Sequence, residues 1–116
     1  MAIIGTHALL YTSEPEKLRA TLRDVFGWHH VDAHDGWLIF ALPPAELGIH
    51  PGDRPAHELS FICDDLDATI EELKAKGIEF KGEPLAAGFG TTITMVLPGG
   101  VDVTLYQPRH PLAIST

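Results

Sequence analysis

The sequence predicts an α+β fold built from two successive strand–helix–strand–strand–strand modules. Three observations predict it. Short segments of β-branched and aromatic residues are bounded by Gly and Pro turns. Two other segments carry apolar residues at helical spacing and each ends on a glycine, Gly27 and Gly77, 50 residues apart. The segments recur in the same order in both halves of the chain.

The first half runs as follows. Ile3 to Tyr11 reads as an apolar strand. Ser13 is the expected N-cap of a helix, with Pro15 just inside it and Glu14 and Glu16 beside its first turn. Leu18, Leu22, Val25 and Phe26 give that helix one apolar face, and Gly27 stops it. Trp28 to Asp32 is a short strand. His34-Asp35-Gly36 is a hairpin turn leading into a strand from Trp37 to Leu42. Pro43-Pro44-Ala45 is a loop. Glu46 to His50 is the last strand, closed by Pro51-Gly52.

The second half repeats the order. His57 to Cys63 is a strand. Asp64 or Asp65 caps a helix whose buried face is Leu66, Ile70 and Leu73. Asp64, Asp65 and Asp67 are read as charges favoured at that helix start, not as metal ligands. Ile78 to Phe80 is a short strand, and Lys81 to Gly90 a Gly-rich rim loop with Phe89 as its lid residue. Thr91 to Leu97 and Val101 to Gln107 are strands around the Pro98-Gly99-Gly100 turn. The expected organisation is a first module over residues 1–52, a linker over 53–56, a second module over 57–108 and a tail over 109–116. Neither half buries a sheet alone, so the two form one structural domain of 116 residues.

Composition narrows the function. Eight Lys and Arg against 16 Asp and Glu give a net charge of −8, which disfavours nucleic acid and anionic membrane surfaces as partners. No apolar run reaches the roughly 18 residues of a membrane span. The start of the chain lacks the pattern of a signal peptide. The lone Cys63 excludes an intramolecular disulfide and is expected as inert core facing the helix. A cytoplasmic protein follows as the expectation. Seven histidines are more than usual for this length. Of these, His29, His30, His34 and His110 are read as surface residues.

Four segments carry a resemblance: His7 to Glu16, Leu22 to Gly27, Cys63 to Ala68 with Leu73 to Gly77, and Leu97 to Gly100 with Leu105 to Pro108. In order and spacing the chain resembles the vicinal oxygen chelate superfamily, the fold of glyoxalases, bleomycin-resistance proteins and extradiol dioxygenases. The resemblance covers nearly the whole chain. It implies that the two βαβββ modules pair into a cupped, half-open mixed β-barrel with helices outside and the ligand within. It also implies a homodimer, side by side or with exchanged modules.

Within that fold, strand alternation assigns faces. His7, Leu9 and Tyr11 face the cup on the first strand, and Glu58, Ser60 and Ile62 on the fifth. The same rule places Trp37, Ile39, Gly48, His50, Thr92, Thr94, Thr104 and Tyr106 there. A cup so lined suits a small aromatic or amphipathic ligand.

The resemblance further implies four metal ligands in metal-dependent members, one on the first and one on the last strand of each module. These positions fall on His7, Gly48, Glu58 (His57 if a bulge intervenes) and Thr104. Glycine has no ligating side chain, and a threonine stands where glutamate is expected. Three readings follow. The first is a metal-independent binding protein needing no cofactor. The second is a metal-dependent dioxygenase, isomerase or lyase holding a divalent metal with His7, His50 and Glu58, although His50 lies roughly 6–7 Å beyond the usual position. The third is a metal-free enzyme with Glu58 as general base in an apolar cup. The first is favoured.

Overall fold

Pro15 lacks an amide hydrogen and has a preset φ, so it starts a helix readily. In the computed structural model, which describes residues 7–49, 51 and 53–114, helix α1 spans Pro15–Asp24. Its N-cap is Glu14, not the expected Ser13, because the chain ahead is held by other contacts. The Glu14 amide donates to Thr12 Oγ1 at 3.1 Å, and the Thr12 hydroxyl donates to the Pro98 carbonyl at 2.9 Å. The Glu14 carboxylate accepts from the Gly99 amide at 2.8 Å. Residue 99 must be glycine: its φ is +84°, and a Cβ there would overlap the Thr12 hydroxyl.

Strands β1 (His30–Asp32) and β2 (Leu38–Phe40) pair antiparallel into a two-stranded sheet. Their turn is the expected one, with the Trp37 amide donating to the His34 carbonyl at 2.8 Å. The Asp32 carboxylate accepts from the Gly36 amide and stiffens it.

The remaining elements follow the strand–helix–strand–strand–strand order: β3 (Ser60–Ile62), α2 (Leu66–Ala75), β4 (Glu79–Ala87), β5 (Gly90–Leu97) and β6 (Val101–Pro108). They form a four-stranded sheet in the order β3-β6-β5-β4. β3 runs parallel to β6, and the other pairs are antiparallel. The crossover through α2 makes the parallel pair possible. Asp65, one of the two expected caps, caps α2, accepting from the Ala68 amide at 3.1 Å. The Gln107 side chain adds a second cap by accepting from the Leu66 amide at 2.6 Å.

The core lies between this sheet and the helices. Ile93, Met95 and Leu97 of β5 and Val103 and Leu105 of β6 are buried against Leu66, Ile70 and Leu73 of α2 and Leu18 of α1. Leu10, Phe61 and Cys63 pack on its margin. Phe26, Trp28 and Phe61 form a ring cluster with centroids 5.1–5.7 Å apart, which joins the first half of the chain to β3.

Three further sequence expectations change. The segment from Lys81 is not a loop: β4 continues through it to Ala87. An irregularity between Lys81 and Leu85 absorbs Gly82 and Pro84, which an edge strand tolerates. The described part of the first predicted strand, 7–11, is outside any strand, as is 46–49 of the fourth. Ile3 and His50 lie outside the described residues.

The fold is therefore mixed α+β with two helices and two sheets among the described residues, and the sheets do not close into a barrel. The accessible surface is 8878 Å². A compact monomer of this mass exposes roughly 6,200 Å². The radius of gyration, 15.2 Å, also exceeds the roughly 13 Å expected.

Candidate functional site

The second face of the four-stranded sheet carries the polar residues. Register places Ser60 of β3, Thr104 of β6, Thr94 of β5 and Lys81 of β4 in one row. The next row holds Ile62, Tyr106, Thr92 and Leu85. On the other side of the first row stand Asp102, Val96 and Glu79. Alternation puts all three rows on the face opposite the core. Among the described residues, no helix packs on this face. The result is a surface graded from charged, through hydroxyl-bearing, to apolar.

At the charged end, Lys81 Nζ donates to Asp102 Oδ2 at 2.6 Å. Both side chains stay solvated, so this pair contributes little to the stability of the sheet. At the apolar end, the Tyr106 hydroxyl donates to the Phe89 carbonyl at 3.1 Å. Its ring lies between Phe89, with centroids 5.9 Å apart, and His110, 5.7 Å apart. Desolvation pushes the Tyr106 phenol above its ordinary pKa, and the Glu46 carboxylate adds to this. It is thus a neutral hydrogen-bonding group at neutral pH. Gly90 makes room for this ring. A Cβ there would sit 2.6 Å from Tyr106 Cε1 and 2.5 Å from the Gln107 carbonyl oxygen.

Of the residues the sequence nominates for the cup, the sheet brings together Ser60, Ile62, Thr92, Thr94, Thr104 and Tyr106. Glu58 is exposed just ahead of β3. His7, Leu9 and Tyr11 are exposed on a segment outside any strand. Ile39 pairs with Val31 in the small sheet. The Trp37 ring stacks on Arg19 of α1, whose guanidinium carbon lies 4.7 Å from the ring centroid. His50 falls outside the described residues.

Lys81, Leu85 and Asp102 were not nominated. The first two were hidden by reading their segment as a loop. Asp102 could have been found, since it lies two residues before Thr104 on the same face. Phe89 stands where a lid residue was expected: it is exposed beside Tyr106.

The donor chemistry does not fit a four-ligand metal centre. Thr104 offers a neutral hydroxyl in a row of other hydroxyls, and Gly48 offers no side chain. Among the described residues, no three His, Cys, Asp or Glu side chains converge as a metal cluster. Cys63 is half-buried, and burial pushes its thiol pKa up, which makes it a poor nucleophile or ligand.

Comparisons with known proteins agree with this architecture. A model of the Glyoxalase/Bleomycin resistance protein/Dioxygenase superfamily matches residues 6–105. YetH of Bacillus subtilis (strain 168), itself uncharacterized, is 29% identical over 103 residues, covering 78% of this chain and 85% of its own. Among solved structures, TnmS3, an antibiotic binding protein from Streptomyces sp. CB03234, superposes with a TM-score of 0.67 at 24% identity, covering 93% of this chain and 98% of that one. Lactoylglutathione lyase from Agrobacterium tumefaciens gives 0.63 at 18% identity, covering 92% and 94%. At these identities the two structures establish the shared fold.

Proposed function

The chain belongs to the Glyoxalase/Bleomycin resistance protein/Dioxygenase superfamily, and from that premise we propose that it is a small-molecule binding protein. Its ligand is an aromatic or amphipathic compound held against the open face of the four-stranded sheet, without a four-ligand metal centre. One observation carries this reading. Ser60, Thr92, Thr94, Thr104 and Tyr106 share one uncovered face between an ion pair and an apolar edge. Hydroxyls both donate and accept, so the face can meet a ligand's polar substituents while Ile62, Leu85 and Tyr106 receive its apolar body. The fold shared with an antibiotic binding protein supports the same class of role. The lone thiol and the acidic charge support a reducing, cytoplasmic setting.

In this reading the two modules, 1–52 and 57–108 with the linker between them, form the cup that this face lines, and a second copy of the chain covers it. The surface excess over a compact monomer supports the second copy. It amounts to about 5,400 Å² for two chains, just above the usual range of about 2,000–5,000 Å² for obligate homodimer interfaces. Tyr11, Leu47 and Ile49 supply its most exposed large apolar side chains, at 86%, 87% and 89%.

The test is calorimetric titration of the purified chain with an aromatic ligand selected from a fragment panel. Thr94→Val and Thr104→Val keep the shape and remove the hydroxyls. Each is expected to weaken binding about tenfold, the loss of one hydrogen bond. Unchanged affinity in both variants would contradict the site. Elemental analysis finding one tightly bound transition metal per chain would contradict the metal-independent mode.

A further inference from the structure

Beyond the open face, the C-terminal tail builds a second concavity. After β6, residues 109–114 fold back across the end of the sheet. The Arg109 amide donates to the Phe89 carbonyl at 2.9 Å, and Arg109 Nη1 to the Ala87 carbonyl at 3.2 Å. Further on, the Ala113 amide donates to Glu46 Oε1 at 2.8 Å. Between this strap and the start of α2 lies a cavity of about 320 Å³. That volume is at the small end of ligand pockets.

Its walls have a definite chemistry. Pro108, Leu112 and Ile62, which the cavity shares with the apolar edge of the open face, form the apolar part, and Asp64, Gln107 and His110 the polar part. The Gln107 oxygen is already engaged by the Leu66 amide, which fixes that wall in place. Asp64 can only accept hydrogen bonds when ionised, and among the described residues no hydrogen bond or ion pair engages its carboxylate. His110 Nδ1 lies 2.8 Å from the Pro111 carbonyl oxygen. A carbonyl only accepts, so Nδ1 holds the proton, and in that tautomer Nε2 is the ring's acceptor. The cavity therefore offers acceptors and one negative charge beside an apolar floor, in a chain of net charge −8.

We propose that this cavity is a second ligand site that takes a small organic cation, a protonated amine on a compact apolar or aromatic body. The ammonium group meets the Asp64 carboxylate and His110 Nε2, and the body lies against Ile62, Pro108 and Leu112.

The ¹⁵N-labelled full-length chain is titrated at neutral pH with 2-phenylethylamine, 2-phenylethanol and phenylacetate. The amine is expected to shift the amides of Asp64, Gln107, His110 and Leu112 saturably, the alcohol more weakly and the carboxylate not at all. Asp64→Asn should weaken amine binding at least tenfold, and Leu112→Ala should weaken the amine and the alcohol alike. The proposal is overturned if the amine leaves these amides unmoved. Equal binding of phenylacetate, or full affinity in the Asp64→Asn variant, would overturn it too. Shifts confined to Thr92, Thr94 and Thr104 would overturn it while leaving the open-face site standing. Saturable shifts at the cavity with an inert open face would do the reverse.

Discussion

Replacing Leu47 and Ile49 together by Asp should convert a dimer of this chain into monomers. Both side chains are almost fully exposed in one copy, on a segment outside any strand. Burying a side chain of this size contributes roughly 1.5–3 kcal/mol. A two-fold interface uses each contact twice. Four side chains thus contribute about 6–12 kcal/mol to association, and the introduced carboxylates would also be desolvated. At about 1.4 kcal/mol per factor of ten, the dissociation constant rises by at least roughly 10⁴-fold. Sedimentation equilibrium at micromolar concentration reads this directly. The unmodified chain should run at about 25 kDa, twice its 12.6 kDa. The double variant should run at the monomer mass with an unchanged far-ultraviolet circular dichroism spectrum. A variant that keeps the dimer mass would refute the placement of this segment in the interface. An unmodified chain that is already monomeric would refute the dimer itself.

Three further outcomes follow from the fold. Met95→Ala removes a side chain with no exposed surface from the centre of the core, and should cost about 2–5 kcal/mol, read as a lower urea midpoint at constant slope. Gly90→Ala drives a methyl group into the Tyr106 ring and the Gln107 carbonyl, and should cost about 1–3 kcal/mol while shifting the Tyr106 ring resonances. The Glu14 carboxyl is held below its ordinary pKa by the Lys17 ammonium and the Gly99 amide. Its stabilising effect is therefore full at neutral pH and lost as pH falls through that lowered value. The melting-temperature gap between the unmodified chain and Glu14→Gln should close on acidification from pH 7 to pH 3, and a constant gap would remove the ionic explanation.

The legible parts of the sequence were those governed by local rules. Leu66, Ile70 and Leu73 announced the buried face of α2 by spacing, and the pair Asp64-Asp65 announced its cap. The alternation Ile93, Met95, Leu97 against Thr92, Thr94 announced the two faces of β5, and so most of the open-face residues. What failed depended on contacts distant in sequence. Glu14 rather than Ser13 begins α1 because Thr12 and Glu14 are tied to a turn more than 80 residues away. Gly82 and Pro84 read as loop signals, but pairing with β5 carries the strand through them with a local irregularity. The Gln107 cap on α2 and the ring contact between Tyr106 and His110 leave no periodic trace in sequence. Trp37 alternates with Ile39, yet stacking on Arg19 decides where its ring lies.

The central claim is that the open sheet face binds small aromatic or amphipathic molecules. Its most direct test is a fragment screen read by amide chemical shifts on the ¹⁵N-labelled chain. Among the fragments that bind, the largest saturable shifts are predicted at Ser60, Thr92, Thr94, Thr104 and Tyr106. Binding fragments that leave all five amides unmoved would contradict the claim.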